Sequence, residues 1–170
     1  MDYFALFGLP YQFSLDITHL TKIYKNLQKK FHPDCFVRCS EFERLQAVEH
    51  SAKINQAWQT LRSPLARAEY LLSLHGLDMA KEHTISDTDF LTEQLHLREN
   101  LEYIEHSCDR KQLSNFIQML NIMIKKLYGR IEKELNNTMW HQAACTTCKL
   151  RFLDKIQASA ENLEEKLLDL

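Results

Sequence analysis

The 170 residues are 45% apolar and 26% charged, carry a net charge of −2, and include only three glycines and three prolines. That balance fits a soluble chain folding as one domain or two small ones, with long helices favoured over many short strands. It excludes a general nucleic-acid binder, which needs a basic footprint, and no apolar run approaches the roughly 20 residues of a membrane span.

The start, Met1-Asp2-Tyr3-Phe4, is acidic and has no basic segment followed by an apolar one, so neither a secretory signal nor a transit peptide is read there. A short helix is predicted from about Asp2 to Phe7, ended by Gly8-Leu9-Pro10. In the next helix Leu20, Ile23, Tyr24, Leu27 and Phe31 share one face. Asp16 and Thr18 are its capping candidates. Lys22, Lys25 and Lys29 recur at three- and four-residue spacing on another face. The helix then meets His32-Pro33-Asp34. Proline has a fixed φ and no amide donor, and it pushes the residue before it toward extended geometry. The expected result is a stiff loop that displays an imidazole and a carboxylate at the tip of a helical hairpin. Alone, the tripeptide also reads as an ordinary turn, and the lysines as a solvated face.

The helical pattern resumes from Glu41 to Leu61. Ser63 and Pro64 suit the N-cap and first position of a further helix, apolar at Leu65, Ala68, Tyr70, Leu71, Leu72 and Leu74. Gly76 is a natural terminator for it. Three heptad stripes follow: Phe90, Gln94, Leu97, Leu101, Ile104, Cys108; then Leu113, Ile117, Leu120, Ile124, Leu127, Ile131; then Leu153, Ile156, Ala160, Leu163, Leu167. Capping residues stand near Ser86, Asp109 and Thr138. The predicted fold is all-α: a hairpin with short flanking helices over residues 1–76, a short linker over 77–85, and an antiparallel three-helix bundle over 86–170.

Charge divides along the same line. Residues 1–75 hold nine Lys and Arg against seven Asp and Glu, and residues 76–170 hold twelve against sixteen. The two halves therefore suit different partners. Leu91 and Leu95 fall off the core stripe one turn apart, and Phe152 lies beside the third stripe. Such residues either form an exposed interface or cover the flank of the bundle.

The five cysteines, an odd number without an export signal, read as thiols of a reducing cytosol. Cys145-Thr146-Thr147-Cys148 is a single Cys-x-x-Cys unit, and His32, Cys35 and Cys39 offer a three-ligand alternative. Zinc asks for four ligands in one place, and the two cysteine pairs fall in separate predicted domains, so no metal and no cofactor is expected. His32 and Asp34 lack a nucleophile or metal to complete a catalytic set. The chain also lacks a glycine-rich phosphate loop, so neither an ATPase nor another enzyme is expected.

One further pattern joins these pieces. The basic helix and His32-Pro33-Asp34 precede Ile54-Asn55-Gln56-Ala57-Trp58-Gln59-Thr60-Leu61, then Pro64, Arg67 and Tyr70. This order resembles a J-domain. The opening Met1-Asp2-Tyr3-Phe4, the run Arg67-Ala68-Glu69-Tyr70-Leu71-Leu72-Ser73-Leu74-His75-Gly76 and the tail Lys149-Leu150-Arg151-Phe152-Leu153-Asp154-Lys155 narrow it further. Over essentially its whole length the chain resembles the HscB family, J-type co-chaperones of bacterial iron–sulfur cluster assembly.

The resemblance implies two protein partners in a bacterial cytoplasm. One is an HscA-type chaperone ATPase, of the DnaK class, docking on Lys22, Lys25, Lys29, His32, Pro33 and Asp34. The other is an IscU-type cluster scaffold. The family's scaffold-binding motif transfers onto Leu91, Leu95, Glu99 and Phe152, with Thr92 and His96 on the same surface. It departs at Thr92, His96 and Tyr103, where the family typically offers Met, Glu and Glu, which lowers the negative charge. Cys35 also replaces the lysine that usually follows the tripeptide. The competing reading is a helical adaptor or metal-binding protein without J activity.

Overall fold

The computed structural model describes residues 2–79 and 87–168. Every regular element among them is helical. Asp2 opens α1 (Tyr3–Phe7) by accepting the Ala5 N–H, and Gly8 closes it in the left-handed region at φ 62°. Asp16 caps α2 (Ile17–Phe31), its carboxylate accepting the N–H groups of Thr18 and His19. Of the two candidates Asp16 is thus the cap, and Thr18 lies in the first turn. His32 ends α2 with extended backbone at ψ 133°, as the proline after it requires. A 3₁₀ turn follows over Pro33–Phe36.

Ser40 and Glu43 form a reciprocal capping box at the start of α3 (Glu41–Arg62). Ser63 is extended, and Pro64 begins α4 (Pro64–Leu74). Gly76 takes φ 81°, and the Leu77 N–H returns to the Leu72 carbonyl at 3.1 Å. The remaining helices are α5 (Thr88–Ser107), α6 (Arg110–Asn136) and α7 (Trp140–Leu168).

The chain divides into two compact units, Met1–Leu71 and Leu72–Leu170. In the first, α2 and α3 run antiparallel. Tyr24 stacks on Trp58 at 4.7 Å between ring centroids, and Phe31 stacks on His50 at 5.3 Å. The Tyr24 hydroxyl and the Gln28 amide both donate to Asn55 Oδ1. Phe4, Leu20, Ile54, Ala57, Leu61 and Ala68 are fully buried. Arg67 is buried as well: its Nε donates to the Leu61 carbonyl at 2.8 Å, its Nη1 donates to the Phe13 carbonyl, and its guanidinium lies over the Phe13 ring.

In the second unit α5, α6 and α7 form the antiparallel bundle. The Arg110 guanidinium at the start of α6 donates to the Leu167 carbonyl near the end of α7, which fixes their opposed direction. The predicted stripes point inward at Phe90, Leu97, Ile104, Leu113, Leu120, Ile124, Ile131, Leu153, Ile156, Ala160, Leu163 and Leu167.

Two expectations are corrected, and the cap expected near Ser86 is located. Cys108 ends the first stripe in sequence but is exposed, terminating α5 at φ 52°. The cap of α5 is Asp87, whose carboxylate accepts the Phe90 N–H at 3.1 Å. Ser86 lies outside the described residues, as does most of the expected linker; Leu77 and Met79 before that gap are buried. Thr138 does not open α7. It sits at φ 57°, donating its N–H to Leu135, while the Met139 N–H reaches the Glu134 carbonyl at 2.8 Å. That pair of bonds is the left-handed C-terminal motif of α6, and Met139 caps α7 by accepting the Ala143 N–H.

Candidate functional site

The first surface is the tip of the α2–α3 hairpin and the outer face of α2. Leu20 turns inward, and Lys22, Lys25 and Lys29 are all exposed. The same 3.6-residue period that buries one face of the helix presents the ammonium groups on the other. At the tip, Pro33 takes the first position of the 3₁₀ turn. The Asp34 N–H donates to His32 Nδ1 at 3.3 Å, and the Cys35 N–H donates to the His32 carbonyl at 2.9 Å. With Nδ1 accepting, the neutral imidazole carries its proton on Nε2. The Asp34 carboxylate also stands 3.4 Å from Nδ1, an ion pair available only to the protonated ring. The His32 and Asp34 side chains are 52% and 86% exposed. The backbone of the turn thus fixes two polar side chains that remain open to solvent.

The second surface lies on α5 and the flank of α7. Leu91 and Leu95 are 53% and 56% exposed. They continue at helical spacing into Arg98 and Glu102, forming one outward stripe. Thr92, His96, Glu99 and Tyr103 form a second exposed stripe beside it. His96 Nδ1 stands 3.8 Å from a Glu99 oxygen.

Phe152 of α7 is half-buried. It meets Phe90 edge-on at 5.9 Å, and the Arg98 guanidinium covers it at 5.4 Å. Lys149 in turn lies over Phe90 at 5.2 Å and donates to Asp87 at 2.7 Å. The Lys149 ammonium and then the Phe90 N–H hold the Asp87 carboxyl below the ordinary carboxylate range. Asp87, Phe90, Arg98 and Lys149 therefore fix Phe152 in place, a support the sequence reading did not single out. Asp87, Phe90 and Arg98 belong to the start and body of α5 and Lys149 to α7, and nothing in the sequence pairs the two helices.

Two family models match the chain: the DnaJ domain over residues 2–70 and the HSCB C-terminal oligomerisation domain over residues 86–161. Among solved structures, chaperone HscB from Vibrio cholerae is 42% identical, with a TM-score of 0.89 over 98% of this chain and 99% of its own. The human co-chaperone protein HscB is 26% identical, with a TM-score of 0.88 over 100% of this chain and 84% of its own. The Jac1 co-chaperone from Saccharomyces cerevisiae shares the fold, at 21% identity and a TM-score of 0.73 over 99% and 95% of the two chains. The chain belongs to the HscB family. It is a J-domain co-chaperone of iron–sulfur cluster assembly.

This HscB-family chain carries five cysteines. Cys35 and Cys145 are exposed, and Cys39 and Cys148 are half-buried. Cys35 Sγ donates to the Lys29 carbonyl at 3.4 Å, so the thiol closes the loop onto α2 where the family's lysine would add a charge. Among the described residues no disulfide forms, and no three His, Cys, Asp or Glu side chains come together as metal ligands; His32, Cys35 and Cys39 are not so grouped. No helix of the described residues is long and apolar enough to cross a membrane.

Proposed function

We propose that this HscB-family protein joins an HscA-type chaperone ATPase to an IscU-type cluster scaffold in the bacterial cytoplasm. Residues 1–76 act as the J-domain and residues 86–170 as the scaffold-binding domain, joined by the short segment 77–85. Lys22, Lys25 and Lys29 steer the J-domain onto an acidic surface of the ATPase. Asp34 then pairs with a cationic or other donor group of the ATPase, and the His32 Nε2–H supplies a donor at the same contact. Pro33 sets the backbone of the turn in advance, which lowers the ordering cost of docking. The scaffold seats on Leu91, Leu95 and Phe152, with Thr92, His96 and Glu99 along the rim. The cluster is cargo carried by the scaffold, and the co-chaperone supplies proximity: tethering the scaffold raises its effective concentration at the ATPase.

The observation that carries this reading is the loop geometry. His32 and Asp34 are bonded to each other's backbone or side chain yet largely exposed, an arrangement the core beneath does not need. The test is steady-state ATP hydrolysis by the cognate chaperone. His32→Gln should leave the melting temperature unchanged and reduce stimulation by roughly ten-fold or more, the size expected when a central interface residue is altered. Full stimulation by the folded variant would rule out the loop as the docking site.

A further inference from the structure

A groove of about 250 Å³ runs between α5 and α7 directly beyond Phe152. Phe152 and Ile156 supply apolar wall, and Arg98, Glu102, Glu105 and Lys155 line its rim. It is continuous with the proposed scaffold surface, because Leu91, Leu95, Arg98 and Glu102 form one stripe of α5. Arg98 stands one turn from Glu102, where the two would ordinarily pair. Instead its guanidinium covers Phe152. Among the described residues neither the Glu102 nor the Glu105 carboxylate has a cationic partner. The helix as a whole holds five acids, Asp89, Glu93, Glu99, Glu102 and Glu105, against one arginine. A partner that covers this face buries those carboxylates, and burial without a counter-charge is costly.

We propose that this groove is a specificity pocket of the scaffold interface and takes a Lys or Arg side chain standing beside an apolar segment of that partner. The inference rests on the scaffold-binding reading above. The apolar segment covers Leu91, Leu95 and Phe152, and the cation enters the groove between Glu102 and Glu105. Arg98 acts as a positioning residue that holds Phe152 and leaves Glu102 for the incoming charge.

Calorimetric titration of the full chain with the cluster-free scaffold tests this. Glu102→Lys combined with Glu105→Lys should weaken binding by roughly ten-fold or more, as like charges meet across the interface. Lys155→Glu, which removes the one lysine of the groove, should tighten binding by about three-fold and steepen its salt dependence. Glu93→Lys, on another side of α5, should change neither. Tighter binding by the double reversal would mean that the groove takes an anion, and unchanged binding that it takes nothing; either overturns the proposal. Sedimentation of the variants without scaffold covers the remaining occupant, a second copy of the chain. A reversal that alters self-association while sparing scaffold affinity would assign the groove to that contact instead. Leu91→Ala with Leu95→Ala runs alongside. If that variant binds the scaffold as the parent does, the scaffold reading itself fails; if it binds weakly while the charge variants do not, only the groove fails.

Discussion

Arg67 shows what a single residue contributes to this fold. It belongs to the J-domain signature. The structure buries it, with its donors committed to the carbonyls of Leu61 and Phe13. It ties α4 to the end of α3 and to the loop before α2. Arg67→Ala removes these bonds and the packing over Phe13, and should cost about 2–4 kcal/mol in denaturant unfolding. A change under about 0.5 kcal/mol would contradict this role. Asp87 is a second case, where one carboxylate both caps α5 and pairs with Lys149. Its pKa is depressed below the ordinary value of 3.8, chiefly by Lys149. A depressed folded-state value means stabilisation that is complete above the unfolded value and lost as pH falls through the folded one. Asp87→Asn keeps the cap and removes the charge. Amide exchange across α5 should therefore be faster in the variant at pH 7, relative to the parent at the same pH, and the gap should close below pH 3.8. A gap that persisted in acid would mean the charge is not its source.

At the scale of elements, most of what was legible came from caps and periodicity. Asp16 and Asp109, read as caps, each cap the helix that follows, because short polar side chains satisfy the orphan N–H groups there; Asp2 and Ser40 do the same for α1 and α3, which the sequence reading did not name. The start of α7 was not legible. Its first turns bury Ala143, Ala144, Thr146 and Thr147 in place of large apolar residues, so no heptad stripe announces them. Thr147 satisfies its buried hydroxyl by donating to the Ala143 carbonyl at 2.7 Å, invisible in a hydropathy pattern. Thr138 misled for a related reason. A threonine before a helix reads as an N-cap, whereas here it fills the left-handed position that glycine ordinarily takes at the end of the preceding helix. A β-branched residue in that region is strained. Thr138→Gly should accordingly raise stability by about 1 kcal/mol, measured by thermal or denaturant unfolding. A loss of stability would show that the threonine side chain contributes contacts outweighing the strain.

Across the whole molecule, the two halves of the sequence fold as two units with different surfaces. Lys22, Lys25, Lys29, Leu91 and Leu95 were readable because they sit on regular helices, where spacing decides exposure, and the His32-Pro33-Asp34 turn because proline stops the helix before it. The arrangement around Phe152 was not, since it depends on how α5 meets α7. Exposure also separates function from folding here. Leu91 and Leu95 lie in solvent, so replacing them by alanine should shift stability by no more than about 0.5 kcal/mol each. The first measurement to make is ATP hydrolysis by the HscA-type chaperone with this protein, with the scaffold, and with both. The account predicts that the two together stimulate more than the sum of each alone. With Leu91→Ala and Leu95→Ala the excess should vanish while stimulation by the co-chaperone alone persists. Synergy that survives this variant, or its absence in the parent, would contradict the claim that one linked chain brings scaffold and ATPase together.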